Sequence, residues 1–115
     1  MSKSTINIEV EMDETKVPES IHWHASDSTI GSKQKAKAFI LSFWDSSDKT
    51  ALRIDLWTKD MMVDEMADFF YQTMMTMADT YGRATKYDEM VTEMKKFAKE
   101  FYEKFRAKQL VENKA

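Results

Sequence analysis

The feature of this sequence that most constrains its fold is a change in hydrophobic period near Asp60. Before this position apolar and polar residues alternate, which is the pattern of strands with one buried face. After it, apolar residues recur at steps of three and four, the spacing of amphipathic helices. The sequence therefore predicts an α+β fold, in which a three- to four-stranded antiparallel sheet is followed by two C-terminal helices packed on one face.

The N-terminal part, residues 1–58, is predicted to form the sheet. Ile6 to Met12 alternates regularly and predicts a first strand. Ile21 to Ala25 predicts a short second strand, with His22 and His24 on its polar face. The polar segment between the two strands is predicted to be a connection.

Residues 35–58 predict a β-hairpin in which the numbers of paired residues sum to 95, with the turn at Ser46 to Lys49. Lys33 to Phe43 also fits a helical spacing, so a helix is the alternative there, but the strand is favoured. We expect the two C-terminal helices to cover one apolar face of the sheet. That face comprises Ile6, Ile8, Val10, Leu41, Phe43, Leu52, Ile54 and Leu56.

The C-terminal part predicts a first helix at 60–82, a second helix at 85–108 and a frayed tail at 109–115. Short connections between helices usually join antiparallel neighbours, so the two helices are expected to form an antiparallel hairpin or, as the alternative, to pack on the sheet at an angle to each other. One domain is predicted over 1–115, because a chain of 115 residues fits one hydrophobic core.

Several residues match the signals that begin or end helices. Thr58 or Asp60 is predicted to cap the first helix, and Gly82 suits the position just after its end. Thr85 and Asp88 resemble a capping box at the start of the second helix, with Asp in place of the usual Glu.

Composition excludes several classes of function. The chain has no cysteine, which excludes disulfides, thiolate metal sites and cysteine nucleophiles. A net charge of −3 argues against a nucleic-acid partner. His22 and His24 could hold a metal only with a third ligand that the sequence does not identify, so no metal and no cofactor are predicted. Catalytic spacings and a Gly-rich phosphate loop are also missing from the sequence, and we expect no enzyme activity.

The sequence also bears on membrane association. The longest nearly apolar stretch, Ala36 to Trp44, is interrupted by Lys37 and Ser42, and positions 1–9 contain no apolar leader region. We therefore expect a cytoplasmic protein without membrane insertion.

Candidate contact residues lie on the second face of the predicted hairpin. Trp44, Trp57 and Ile40 fall on the side away from the face that the helices are expected to cover, with Arg53 beside them. Aromatic residues concentrate at the buried centres of protein interfaces, so this face is predicted to meet a second copy or a partner protein. The alternative is that the loop at 26–33 or the C-terminal tail folds over both tryptophans.

Methionine is unusually frequent, and eight of the ten lie between Met61 and Met94. Most of them fall on the predicted inward stripes, where methionine fills gaps in a core. An adaptable groove for a partner peptide is the alternative. Met62, Met75 and Phe69 lie off the main stripe and are predicted to form a second contact surface.

Several segments of the chain are similar to one protein family, and the similarity extends over nearly the whole chain. They are Ser4-Thr5-Ile6-Asn7-Ile8-Glu9-Val10-Glu11, Lys16-Val17-Pro18-Glu19, Ile21-His22-Trp23, Ser42-Phe43-Trp44-Asp45, and above all Leu52-Arg53-Ile54-Asp55-Leu56-Trp57-Thr58-Lys59-Asp60-Met61 with Val63-Asp64-Glu65-Met66. These segments resemble the gliding-motility protein GldC family of Bacteroidetes. Met62 stands where the family pattern has proline, a departure that affects helix capping.

The resemblance implies an accessory protein of the gliding-motility machinery, and it offers no catalytic residues and no cofactor. We therefore expect an adaptor that acts through protein–protein contacts, with protein components of that machinery or with a second copy as partners. The alternative is a chaperone-like or small apolar-ligand-binding α+β module.

Overall fold

The computed structural model describes residues 2–26 and 33–114. Within these residues, antiparallel strands precede two C-terminal helices, which confirms the predicted α+β class. The elements are β1 (Ile6–Met12), β2 (Pro18–Ala25), β3 (Gln34–Ala36), β4 (Ala38–Trp44), β5 (Ala51–Trp57), α1 (Val63–Thr85) and α2 (Asp88–Lys114). They belong to two compact units, Met1–Met61 and Met62–Ala115. That the chain folds as a single domain, with its helices on one sheet face, stays a prediction.

The strands form two sheets because the third predicted strand is divided at Lys37. Its first part, β3, pairs with β2, and its second part, β4, pairs with β5. Thr58, which is buried, stabilises this division: its backbone N–H donates to the Lys37 carbonyl at 2.8 Å. The Thr58 hydroxyl donates to the Asp60 carboxylate, and this hydrogen bond lowers the pKa of Asp60. Thr58 therefore links the end of β5 to Lys37, and neither Thr58 nor Asp60 caps α1 as predicted, because Met62 occupies the N-cap position.

Asp13 organises the turn between β1 and β2. Its carboxylate accepts hydrogen bonds from the Thr15 backbone N–H at 2.8 Å, the Thr15 hydroxyl at 2.7 Å and the Val17 backbone N–H at 3.0 Å. The ammonium of Lys59 lies 3.2 Å from the same carboxylate. The hydrogen bond from Val17, followed by that from the Thr15 hydroxyl, holds the pKa of Asp13 well below its usual range.

We expect the Asp13→Asn variant to lose part of the acid sensitivity of the N-terminal unit. Because folding lowers the pKa of Asp13, its carboxylate stabilises the folded state above the unfolded pKa of about 3.9. That stabilisation is lost as the pH falls further towards the folded pKa. The measurement is the thermal unfolding midpoint from pH 7 to pH 2, with Glu14→Gln in the same turn as the control. Equal pH dependence in wild type and Asp13→Asn would contradict this role.

The β4–β5 hairpin has the predicted register. The residue numbers of each pair sum to 95, from Ala38 opposite Trp57 to Trp44 opposite Ala51. Residues 38–44 are therefore strand and not helix. The Asp45 carboxylate accepts hydrogen bonds from the backbone N–H groups of the next residues in the turn, including that of Asp48 at 2.6 Å.

The helical unit is an antiparallel hairpin with a two-residue connection at 86–87. The rings of Tyr71 and Tyr102 stack with their centroids 4.7 Å apart, and the Lys95 ammonium lies 2.7 Å from the Asp79 carboxylate. Small side chains allow the two helices to approach closely. The buried ones are Ala67, Ala78 and Ala98, which we call the alanine seam.

The helix ends differ from those predicted. Gly82 lies inside α1, and Lys86 ends the helix in the left-handed conformation (φ 65°), with its N–H donating to the Gly82 carbonyl. Thr85 closes α1 instead of capping α2: its hydroxyl donates to the Tyr81 carbonyl and accepts from the Tyr87 N–H. α2 continues to Lys114, through most of the segment predicted as a frayed tail.

Candidate functional site

The hairpin register places Trp44, Trp57, Ile40 and Arg53 on one face of β4–β5, which we call the tryptophan face. Trp44 is 70% exposed and Trp57 is 55% exposed, whereas Ile40 is half-buried. The alternative in which the loop at 26–33 covers both tryptophans falls mostly on positions 27–32, which lie outside the described residues, and cover by the C-terminal tail stays a prediction. The function of these four residues as contact residues stays a prediction.

The two tryptophans mark opposite ends of the hairpin. Trp44 lies beside the turn and Trp57 at the open end, so six residue pairs, or roughly 20 Å, separate them along the strands. Between them the Arg53 guanidinium forms an ion pair with the Asp55 carboxylate at 2.9 Å. The tryptophan face thus presents two apolar ends and a charged centre.

A shallow apolar recess adjoins the Trp57 end. It has a volume of about 230 Å³ and is lined by Val17, Pro18, Leu56, Trp57 and Lys59. The Lys59 ammonium lies 3.3 Å from the Glu19 carboxylate and also pairs with Asp13, which raises the pKa of Lys59. The recess has room for one or two side chains of a partner, beside a cation held in place by carboxylates.

The opposite face of the same hairpin is also apolar and exposed. Phe43, Leu52 and Ile54, which the sequence predicts to be covered, are each more than half exposed. A two-stranded sheet has no third strand to flank these side chains, and Phe43 and Leu52 are paired next to the turn. The N-terminal unit instead centres its core on Ile21 of β2, the middle strand of the other sheet.

The hairpin therefore presents a large amount of apolar surface. Five large apolar side chains, those of Phe43, Trp44, Leu52, Ile54 and Trp57, are more than half exposed on its two faces. Extended exposed apolar patches mark interaction sites on folded proteins. The hairpin is for this reason the candidate functional site.

That Met62, Phe69 and Met75 form a second contact surface stays a prediction. Met62 is exposed, whereas Phe69 and Met75 are half-buried. Phe69 and Met75 are six residues apart on α1 and therefore lie on different sides of the helix, whereas Met62 precedes the first helical residue. Phe69 contacts the ring of Phe70 edge to face, with centroids 6.2 Å apart.

The histidine pair lies on β2, where His22 is paired with Glu9 of β1 and Lys35 of β3. The Glu9 carboxylate forms an ion pair with Lys33 at 2.6 Å, and this hydrogen bond lowers the pKa of Glu9. Among the described residues, no group of three or more His, Cys, Asp or Glu side chains is placed to hold a metal ion.

An apolar cavity of about 210 Å³ lies in the N-terminal unit. Its lining consists of Ile6, Ile8, Ile21, Trp23, Ala36, Ala38 and Phe39. Sites for small molecules usually have volumes of about 300 to 1,000 Å³. The cavity is therefore small for such a ligand, and its lining consists of aliphatic and aromatic side chains.

The comparisons with known proteins identify a family. Residues 18–107 match the family described as gliding motility-associated protein GldC-like, a segment that contains the whole β4–β5 hairpin. No curated protein and no solved structure shows a significant match to the chain. In the described part of the chain, neither helix has a segment long and apolar enough to cross a bilayer.

Proposed function

The chain belongs to the GldC-like family of gliding motility-associated proteins, and from this premise we propose that it is a non-enzymatic adaptor of the gliding machinery that binds a protein partner. The observation that supports the proposal is the tryptophan face, with Trp44 and Trp57 both more than half exposed. Tryptophan and arginine are the residues most enriched among those that dominate binding energy at protein interfaces.

The geometry of the tryptophan face specifies what the partner must offer. Its surface must span roughly 20 Å to contact both tryptophans, with apolar contacts at each end. Between these ends it must provide polar groups for Arg53 and Asp55, because a charged pair that is buried without hydrogen bonds costs binding energy. At the Trp57 end, an apolar side chain of the partner would occupy the recess beside Val17 and Pro18. This combination fits a folded protein partner.

A cytoplasmic site of action is part of the same proposal. The chain contains no cysteine, so it needs no oxidising compartment for disulfide formation. The alternative function, a module that binds a small apolar ligand, has one supporting feature in the 210 Å³ cavity. That cavity is smaller than usual ligand sites, so the adaptor function is favoured.

The experiment is affinity purification from extracts of gliding cells, with tagged full-length wild type and two matched double variants. Trp44→Ser with Trp57→Ser changes the tryptophan face. Phe43→Ser with Leu52→Ser removes two equally exposed apolar side chains from the opposite face of the same strands. We expect the first variant to bind the captured gliding protein at least about 30-fold more weakly, because truncation of a dominant interface residue costs about 2 kcal/mol or more.

The second variant should retain capture. Circular dichroism would verify that both variants are folded, together with tryptophan fluorescence, which comes from Trp23 alone in the first variant and from all three tryptophans in the second. Capture that survives loss of both tryptophans, or that is lost only with Phe43 and Leu52, contradicts the assignment of the tryptophan face. Recovery of many unrelated unfolded chains, in place of one defined partner, would support the chaperone-like alternative instead.

A further inference from the structure

The helical unit carries a bulky apolar face that the pairing of its two helices leaves exposed. The helices contact each other where the rings of Tyr71 and Tyr102 stack, on the side of each helix that carries the buried alanine seam. Beside it, six large apolar side chains are between 42% and 76% exposed. They are Val63, Phe70 and Met77 on α1, Tyr87 in the connection just before α2, and Met90 and Phe97 on α2, and we call them the helix face.

The residues of the helix face all lie on one side of the helical hairpin formed by α1 and α2. Met77 immediately precedes the seam residue Ala78, and Phe97 immediately precedes Ala98, so both are rotated by about 100° in the same sense from the seam. The helices run in opposite directions and their seams point towards each other. Two antiparallel helices whose seams face each other are related by a twofold rotation about an axis perpendicular to both helices. A residue that precedes the seam residue by one position therefore lies on the same side of the pair in both helices. The two exposed stripes are therefore neighbours.

The spacing of this face is that of a helical bundle. Uncharged residues recur at alternating steps of three and four, at Val63, Met66, Phe70, Thr73 and Met77 on α1 and, beginning one residue before α2, at Tyr87, Met90, Met94, Phe97 and Phe101. This is the heptad spacing by which helices pack into the left-handed bundles of four. Each helix thus has one row that contacts its neighbour in the hairpin and a second, adjacent row that has the spacing to contact further helices.

We propose that the helix face is the contact between two copies of this chain, which pair their helical hairpins into a four-helix bundle. A large side chain exposes about 200 Å² when fully accessible, so the six side chains of the helix face present roughly 700 Å² per copy. A stable protein interface buries about 800 Å² per partner. These six side chains therefore supply most of the area that a stable dimer needs.

A second copy also satisfies the symmetry of such a contact. A twofold interface requires a surface that is complementary to itself. The six residues of the helix face and the four other residues of the two heptad rows carry no charge, so pairing two copies places no like charges together at the centre of the contact. The proposal is independent of the tryptophan face, which lies on the other unit of the chain.

The test is the molar mass of the full-length chain in solution, measured by light scattering and sedimentation over a range of concentrations. We expect wild type to have twice the chain mass of 13.5 kDa. Met77→Glu with Phe97→Glu should be a monomer with unchanged helical circular dichroism. The matched control, Thr76→Glu with Thr92→Glu, adds the same two charges at exposed positions outside the helix face and should remain a dimer.

A second variant keeps the test decisive if the glutamates unfold the protein. Met77→Ala with Phe97→Ala preserves helix propensity and should raise the dimer dissociation constant at least 10-fold. The proposal is overturned if the wild type is monomeric throughout a 100-fold dilution series that starts at about 0.1 mM. It is also overturned if the alanine variant has the wild-type dissociation constant. If dimerisation is lost with the Trp44 and Trp57 variant but not with the helix variants, the contact between copies lies on the β4–β5 hairpin. That result would also overturn the proposal.

Discussion

Ile21→Ala is expected to destabilise the N-terminal unit by about 3 kcal/mol, the middle of the range for truncating a fully buried isoleucine. Ile21 is 1% exposed and is the largest fully buried side chain of the described residues. It lies on the central strand, opposite Val10 of β1 and Ala36 of β3. Truncation would enlarge the adjoining apolar cavity, and the neighbouring strands cannot close it without losing their pairing.

Tryptophan fluorescence reports on this unit alone, because all three tryptophans precede Met61 and all four tyrosines follow it. Unfolding in denaturant, followed by tryptophan fluorescence, is the measurement. Ile6→Ala is the matched control in the same sheet: Ile6 is 70% exposed, so we expect it to cost less than about 1 kcal/mol. If both variants lower the free energy of unfolding by similar amounts, β2 is not the centre of the core.

Gly82→Ala is expected to destabilise the helical unit by about 1 to 2 kcal/mol, although alanine is the better helix former by about 1 kcal/mol. An added Cβ at Gly82 would lie 2.8 Å from the Val91 Cγ2 atom. Valine in a helix has one strongly preferred rotamer, so Val91 cannot turn away at low cost.

The sign of this effect should reverse when Val91 is truncated. In the Val91→Ala background, Gly82→Ala has room for its methyl group and should stabilise the unit by up to about 1 kcal/mol. Helical circular dichroism during unfolding measures all four members of this cycle. A Gly82→Ala variant that is more stable than wild type while Val91 is present would rule out the close contact.

The hairpin register could be predicted because strand side chains alternate with a period of two. A shift of one residue would place every apolar side chain of β4 opposite the wrong face of β5, and only the pairing that sums to 95 matches both strands. The division at Lys37 could not be predicted, since it depends on a hydrogen bond from Thr58, 21 residues away in the sequence. No local pattern encodes such a contact.

The helix packing was harder to predict, because alanine and glycine give weak hydrophobic signals. The bulky stripe through Phe70 and Met77 predicts an inward face, whereas the helices contact each other through the alanine seam. Gly82 is typical both of a helix end and of a close approach between helices. The sequence alone does not distinguish these roles, and the structure shows the second, with Val91 beside it.

The candidate site was predictable in part for the same reasons. The alternation of side chains along the two strands, together with their register, places Trp44 and Trp57 on one face. It does not show whether either face of a hairpin is covered, because that depends on contacts between residues far apart in the sequence. The exposure of Phe43 and Leu52 could therefore be found only from the structure.

Photo-crosslinking in gliding cells tests the central claim, that the tryptophan face contacts a gliding-machinery protein, most directly. A photoreactive aromatic residue would replace Trp57, or in separate strains Leu52 on the opposite hairpin face or Lys99, an exposed residue of α2. We expect one prominent adduct from position 57, containing a component of the gliding machinery, and much weaker adducts from the other two positions. An adduct with that component from position 52 or 99, with none from position 57, would contradict the central claim.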